Sequence, residues 1–194
     1  ACAPYRRLHL CHHNLETIET TSTKHDLLLE VCMAAYYEGD LIKTRHLGHQ
    51  LTNVGTSSQL CTVLARSFAD IGDIVRGKDL FYGNTQEKEK REDLEKKLKE
   101  IFDKIKRNNS KLSTLKDDQI REYWWTENRE TVWKAITCDV VSGKYFRPTC
   151  SDSGDRQGPS VAQKQCRCPN GNDQVPTYFD YVPQYLRWFE EWAE

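Results

Sequence analysis

A stretch between residues 117 and 141 carries apolar side chains on two sides of a predicted helix. At helical pitch, the first side groups Trp125, Val132, Ile136 and Val140, with Trp133 at its edge. The second side groups Ile120, Trp124, Ala135 and Cys138. Asp117 and Asp118 favour a helix start, and Gly143 favours a stop. Because a helix that is apolar on two sides must be packed on two sides, we expect the central helix of an all-α domain, with its tryptophans in the core.

Helical periodicity also covers residues 24–50, 58–77 and 86–111. Gly39 makes a kink possible in the first of these helices, and the third has one narrow apolar stripe, which places it on the surface. Residues 142–177 lose periodicity and are rich in Gly, Pro, Ser and Asp, which predicts a long irregular loop. A last helix follows Pro183. Its aromatic residues are expected in the core, with ligand stacking as the alternative: Tyr185, Trp188, Phe189 and Trp192.

Charged residues within the apolar stretches are expected to pair. Arg121 and Arg129 lie near the first side of the central helix, and an unpaired buried guanidinium would be very costly. Asp70 and Asp73 share one side of the 58–77 helix, so we predict that they are the partners of buried arginines. The alternative, a catalytic acid–base pair, has no accompanying catalytic group, and we therefore expect no enzymatic activity.

Eight cysteines are the strongest compositional signal. An even number, with several in polar loop sequence, indicates disulfides and an oxidising compartment. Zinc is the alternative, with ligands from Cys2 and the run Cys11, His12 and His13, or from Cys166 and Cys168. Neither cluster has the ligand spacing typical of structural zinc sites, so we expect no metal and no cofactor.

Length and charge exclude other classes of protein. The chain has 194 residues, which is room for one domain, and its formal charge of −1 gives no global basic field for nucleic acid. No apolar run approaches the roughly 20 residues of a membrane span. The opening residues do not resemble a signal peptide, so we expect a part of a longer protein.

Four stretches resemble one family: residues 2–11, 65–81, 121–138 and 182–192. They are similar to the Duffy-binding-like alpha domain of the Plasmodium falciparum erythrocyte membrane protein 1 family of variant surface adhesins. The resemblance implies a disulfide-braced helical bundle with long irregular loops, built in the family from three subdomains. Residues 1–13 are then the end of the first subdomain, and residues 14–194 are the second, truncated at or near its C-terminal edge.

The resemblance also implies a disulfide framework. In relatives, the cysteines at the positions of Cys2 and Cys11 pair upstream, outside this chain, which leaves these two unpaired, bonded to each other or bonded to another chain. Cys61 is expected to join the loop after the central helix, at Cys150 or Cys168. A disulfide between helices is expected to join Cys32 and Cys138. The cysteines expected to form structural disulfides are therefore Cys32, Cys61, Cys138, Cys150, Cys166 and Cys168.

The same resemblance implies that the chain is a host-receptor-binding adhesion module that varies antigenically and acts in virulence. Family members mediate cytoadherence and rosetting from the extracellular face of the infected erythrocyte membrane. Their implied partners are heparan-sulfate-like glycans, blood-group sugars, complement receptor one and antibodies, without nucleic acid and without membrane insertion by this segment. The alternative is a structural scaffold subdomain whose receptor contacts lie outside this chain.

One dense basic set offers a glycan-binding surface, because a sulfated glycan needs several cations on one exposed face. The set lies on the 86–111 helix and comprises Lys96, Lys97, Lys99, Lys104, Lys106, Arg107 and Lys111. The alternative interpretation is an ordinary solvated helix face.

Overall fold

A computed structural model describes residues 2–52, 60–138, 140, 150, 164–168 and 175–193, with the backbone alone for residues 46–52 and 164. Its helices are α1 (Tyr5–Leu8), α2 (His13–Glu16), α3 (Lys24–Thr52), α4 (Leu60–Arg76), α5 (Thr85–Arg107), α6 (Asp117–Ile136) and α7 (Gln184–Ala193). Short 3₁₀ turns occupy Ser110–Leu112, Lys164–Cys166 and Phe179–Tyr181. The described residues contain no β-strand beyond single-residue bridges at Cys150 and Arg167, so the predicted all-α class is confirmed.

Helix α6 is the central helix, and it packs against α3, α4 and α5. Both of its predicted apolar sides are buried over most of their length, and the core includes Ile120, Trp124, Trp125, Val132, Trp133 and Ile136. Phe68 of α4 fits between two of these tryptophans, with ring centroids 5.1 Å from Trp125 and 5.2 Å from Trp133. The prediction that the tryptophans of this helix form core is therefore confirmed.

The end of α6 differs from the prediction. The helix stops at Ile136, and the hydroxyl of Thr137 donates to the carbonyl of Trp133 at 2.7 Å. Cys138 is exposed beyond this stop, so the second apolar side ends earlier than expected. Gly143, the predicted stop, lies outside the described residues, as does most of the predicted 142–177 loop.

Gly39 allows α3 and α6 to approach closely. A Cβ atom at Gly39 would lie 2.1 Å from the carbonyl oxygen of Ile136, a distance that real structures do not show. Helix α3 continues through Gly39 from Lys24 to Thr52. The close contact between the two helices therefore explains why a glycine stands at this position.

Helix α5 is a surface helix, as its narrow stripe predicted. Its buried side chains are Leu94, Leu98, Ile101 and Phe102. A capping box fixes its start, because the side chain of Asn84 accepts from the backbone N–H of Glu87 at 3.0 Å and Glu87 accepts from that of Asn84 at 2.7 Å. The helix ends at Arg107, and the predicted extension to residue 111 is a separate 3₁₀ turn.

Helix α7 buries a different face from the one predicted. Trp188 is buried, but Tyr185, Phe189 and Trp192 are 52%, 69% and 61% exposed. The inner face carries Gln184 and Arg187 instead, because Arg187 pairs with buried carboxylates of α4 and thereby fixes the rotation of the helix. The expectation that all four aromatic residues lie in the core is therefore wrong for three of them.

Candidate functional site

The predicted pairing of Asp70 and Asp73 with buried arginines is confirmed. Asp70 lies 2.8 Å from Nη2 of Arg6 and 2.8 Å from Nη2 of Arg187. Asp73 lies 2.9 Å from Nη2 of Arg76 and also binds Arg187. The pairs join α1, α4 and α7, so these carboxylates hold the fold together.

The two aspartates differ in pKa. Burial would raise the pKa of Asp70, but the positive charges of Arg6 and Arg187 outweigh it and hold that pKa below its usual range. At Asp73 burial is the stronger effect and raises the pKa to about 6, against the opposing effects of Arg187 and Arg76. Asp73 is thus the acid of this cluster whose charge is disfavoured by folding.

Arg129 and Arg121 also find the carboxylates expected for them. Arg129 binds both oxygens of Asp180, at 2.9 Å and 2.7 Å, and the indole N–H of Trp125 donates to the same carboxylate at 2.8 Å. Arg121 pairs with Glu95 at 3.0 Å. These charged groups stabilise the contacts between elements of the fold. In the described part of the chain, no group of three or more His, Cys, Asp or Glu side chains is placed to hold a metal.

The disulfides correct two predicted pairings. Cys61 at the start of α4 bonds to Cys166, with Cα atoms 5.5 Å apart, rather than to Cys150 or Cys168, which bond to each other. Cys166 is fully buried beside α6, where its carbonyl accepts from the indole of Trp133 at 3.3 Å. Cys166 therefore contacts α6 through its carbonyl and α4 through its disulfide.

Four cysteines are free thiols: Cys2, Cys11, Cys32 and Cys138. The predicted Cys32–Cys138 link is absent, because Cys138 follows the end of α6 and is exposed, whereas Cys32 is half-buried on α3. Cys2 and Cys11 are not bonded to each other. Their expected pairing outside this chain stays a prediction.

The structure divides the predicted basic set among several environments. Three lysines are half-buried, and each donates to a backbone carbonyl: Lys97 to Glu16 at 2.7 Å, Lys104 to Thr20, and Lys106 to Leu115 at 2.7 Å. The other members are exposed: Lys96, Lys99, Arg107 and Lys111. The seven residues therefore do not act as one free cationic face.

Lys96 and Lys99 contribute to a surface groove with residues that the sequence analysis did not select. The groove has a volume of about 350 Å³ and is also lined by Tyr82, Lys88 and Arg91. The guanidinium of Arg91 lies 5.6 Å from the centre of the Tyr82 ring, which is 70% exposed. We call this feature the Tyr82 groove. No local spacing relates Tyr82 to the α5 cations, so the sequence carried no signal for it.

The outer face of α7 forms a second surface feature. Tyr185, Phe189 and Trp192 follow one another at helical spacing on the exposed side. The indole of Trp192 donates to the carbonyl of Cys2 at 2.9 Å, which holds this ring beside the start of the described chain. An aromatic stripe of this kind is typical of a contact surface.

The fold and these surfaces define a disulfide-braced, all-α binding module. Its charged core residues form ion pairs. The exposed cations of α5 and the aromatic rings of α7 lie on its surface. No helix in the described part combines the length and the apolar character that crossing a bilayer requires.

The chain belongs to the Duffy binding domain family, whose family model matches residues 1–187. This confirms the resemblance drawn from the sequence, and the family consists of binding domains rather than enzymes, as expected. No curated protein sequence matches the chain.

Solved structures from Plasmodium falciparum are similar over the whole chain. The NTS-DBL1(alpha-1) domain of membrane protein 1 from the varO strain is 38% identical with a TM-score of 0.79, and the match covers 100% of this chain and 43% of that one. The ICAM-1-binding IT4var13 DBLbeta domain is 30% identical with a TM-score of 0.68, covering 97% and 41%. This chain thus spans less than half the length of these relatives.

A more distant match shows the shared fold alone. Region II of erythrocyte binding antigen 140, solved in complex with sialyllactose, is 24% identical with a TM-score of 0.59, covering 98% of this chain and 25% of that one. The division of this chain at residue 13 into two subdomains is tested by none of these matches and stays a prediction.

Proposed function

We propose that this chain is part of a host-cell receptor-binding adhesion module of a variant malaria surface antigen. Its place would be the extracellular face of the infected erythrocyte, in cytoadherence and rosetting. One similarity supports this: a relative that is 30% identical binds ICAM-1. The burial of the ion pairs that Asp70, Asp73 and Asp180 form with arginines also supports it, because the exposed surface can then vary under antibody pressure without loss of these pairs.

Among the partners implied by the family, the structure favours an acidic glycan of the heparan sulfate type over blood-group sugars or complement receptor one. The observation that carries this choice is the exposure of Lys96, Lys99, Arg107 and Lys111, none of which forms an ion pair within the described residues. A polyanion would bind them by charge attraction and by release of its counterions.

Retention on immobilised heparin tests this proposal. We expect retention to fall steeply as salt rises and to be largely lost when the four exposed cations are replaced by alanine. The matched control removes four exposed basic residues outside α5: Lys24, Arg45, Lys78 and Lys116. Retention that does not depend on salt, or an equal loss in the control, would exclude a specific glycan surface on α5.

One observation favours the alternative function, a structural scaffold. Lys97, Lys104 and Lys106 fasten α5 to neighbouring segments through backbone carbonyls, so part of the basic set serves the fold. If a complete domain containing this chain binds red cells, and the four alanine substitutions leave that binding unchanged, the scaffold function is the correct one.

A further inference from the structure

The Tyr82 groove contains an exposed aromatic ring that neighbouring residues hold in place. Arg91 lies over one face of the Tyr82 ring, 5.6 Å from its centre. The guanidinium of Arg91 is fixed in turn by Asp79, whose backbone carbonyl accepts from its Nη2 at 2.8 Å and whose carboxylate lies 3.5 Å from its Nε. Because Tyr82 is ordered by this contact while 70% of its surface stays exposed, it loses little conformational freedom when a ligand packs on it.

The backbone turn after Tyr82 adds to this order. Gly83 has a φ of +60°, a left-handed conformation that favours glycine. A Cβ atom at Gly83 would lie 2.2 Å from a carboxylate oxygen of Glu87. The same oxygen accepts from the backbone N–H of Asn84 in the capping box of α5. The turn therefore lies directly against the first turn of α5 and places Tyr82 beside this helix.

The groove has the dimensions of a site for a small or chain-like ligand. From Lys88 to Lys99 it follows about three turns of α5, or roughly 16 Å of the helix axis. Its volume of about 350 Å³ lies at the low end of the range of about 300–1,000 Å³ that is typical of small-molecule sites. A short stretch of an oligosaccharide is a ligand of this size.

Two lysines of the groove are left without a negative partner. Lys88 pairs with Glu92 at 3.8 Å, and Glu95 pairs with an arginine of α6 at 3.0 Å. Within the described residues Lys96 and Lys99 form no ion pair, and both are exposed. They are three residues apart and are therefore neighbours on the helix surface, so one ligand can contact both. The groove thus combines an ordered aromatic ring with two adjacent positive charges.

A sulfated sugar has the chemistry that matches both features. One face of a pyranose ring is lined by C–H groups, which pack on the face of a tyrosine ring, and sulfate esters at the edge of the sugar carry negative charge. A polyphosphate supplies the negative charge without a rigid apolar face. The tyrosine can therefore distinguish a sulfated sugar from other polyanions, whereas the lysines by themselves respond only to charge.

We propose, on the basis of the glycan-binding function above, that the Tyr82 groove is the subsite in which this chain recognises a sugar. One pyranose ring of a sulfated glycan packs on Tyr82, and its sulfate groups bind Lys96 and Lys99. The other exposed cations, Arg107 and Lys111, bind the glycan beyond the groove by charge alone. Tyr82 is thus the residue that makes the surface selective for glycans.

Isothermal titration calorimetry with two anions tests this selectivity. The probes are a sulfated heparin tetrasaccharide and a polyphosphate of matched charge, which has no sugar ring. We expect Tyr82→Ala to weaken binding of the tetrasaccharide about five- to tenfold and to leave binding of the polyphosphate unchanged. Tyr82→Phe keeps the aromatic ring and should bind both probes as the unmodified chain does.

The matched control is Tyr123→Ala, on a tyrosine of α6 that is 58% exposed and lies outside the groove, and it should change neither affinity. Unchanged tetrasaccharide affinity in Tyr82→Ala would overturn the proposal. An equal loss for both probes would also overturn it, because Tyr82 would then act through the neighbouring charges and not on the sugar. A loss in Tyr82→Phe as large as that in Tyr82→Ala would assign the effect to the hydroxyl group and exclude stacking.

A second variant tests the site while Tyr82 remains in place. Replacing Lys96 and Lys99 together by alanine should weaken binding of both probes, because both depend on charge. Unchanged tetrasaccharide affinity in this double variant would place the sugar outside the groove.

Heparin retention separates this inference from the proposed function. If Tyr82→Ala is retained on heparin and binds the tetrasaccharide as the unmodified chain does, the glycan surface of α5 stands and the Tyr82 subsite is excluded. If the unmodified chain is not retained on heparin at all, the proposed function itself fails, and the subsite fails with it.

Discussion

Arg187→Met is the substitution that most directly tests how the helices are held together. Arg187 is 1% exposed, and its Nη2 binds both Asp70 and Asp73 of α4. Its Nη1 also donates to the carbonyl of Val182 at 2.5 Å. Methionine has a similar volume, so the change removes the charge and the hydrogen bonds while it leaves most of the packing.

The structure sets the magnitude of the effect. Breaking a buried ion pair from one side costs about 3–5 kcal/mol, because the remaining charge is left uncompensated. Asp70 keeps Arg6 at 2.8 Å, and Asp73 keeps Arg76 at 2.9 Å, so we expect a loss of about 3 kcal/mol rather than the upper value. For a domain of this size such a loss lowers the melting temperature by roughly 6–12 °C.

Urea unfolding followed by tryptophan fluorescence measures this loss, because four of the five tryptophans are buried: Trp124, Trp125, Trp133 and Trp188. Arg107→Met, on an exposed arginine, is the control and should change the free energy of unfolding by less than about 0.5 kcal/mol. Adding Asp73→Asn to Arg187→Met should recover part of the loss, because it removes a buried carboxylate that has lost one of its two arginine partners. A loss below about 1 kcal/mol for Arg187→Met would refute the view that this ion cluster fixes α7.

Three further predictions follow from packing and charge. Gly39→Ala should destabilise the chain by at least about 2 kcal/mol in urea unfolding, since the added methyl group collides with α6; a neutral effect would contradict the close helix contact. Trp188→Ala should cost about 3–5 kcal/mol, whereas Phe189→Ser should leave the melting temperature nearly unchanged, and equal losses would contradict the observed rotation of α7. Because folding raises the pKa of Asp73 to about 6, its contribution to stability is largest below its unfolded pKa and is lost as pH rises toward 6. The unmodified chain should therefore lose up to roughly 3 kcal/mol relative to Asp73→Asn between about pH 4 and pH 7, and a pH-independent difference would contradict the shift.

Where the sequence analysis succeeded, its evidence was local. The two apolar sides of α6 and the narrow stripe of α5 are periodic patterns, and a period specifies which face is buried whatever the neighbour is. The pairing of Asp70 and Asp73 with arginines also followed from local reasoning, because charged residues on a buried face require partners. The identities of those partners did not follow, since Arg187 lies more than a hundred residues away in sequence.

The wrong predictions are those that required a choice among residues that look alike in the sequence. Cys150, Cys166 and Cys168 lie in the same polar segment, and only the fold shows that Cys166, which contacts Trp133, is the one bonded to Cys61. The Tyr82 groove is likewise assembled from α5 and the turn before it, and helical periodicity does not extend across such a turn. No spacing in the chain relates these parts.

By itself, the sequence determined an all-α chain, its central helix and its membership in a family of binding domains, because periodicity and long motifs are written in consecutive residues. Tertiary structure alone decided which face of α7 points outward, which cysteines bond and which cations remain free. Those outcomes depend on distances between segments that are far apart in the chain, and such distances are set only when buried charges and helix surfaces have found their partners.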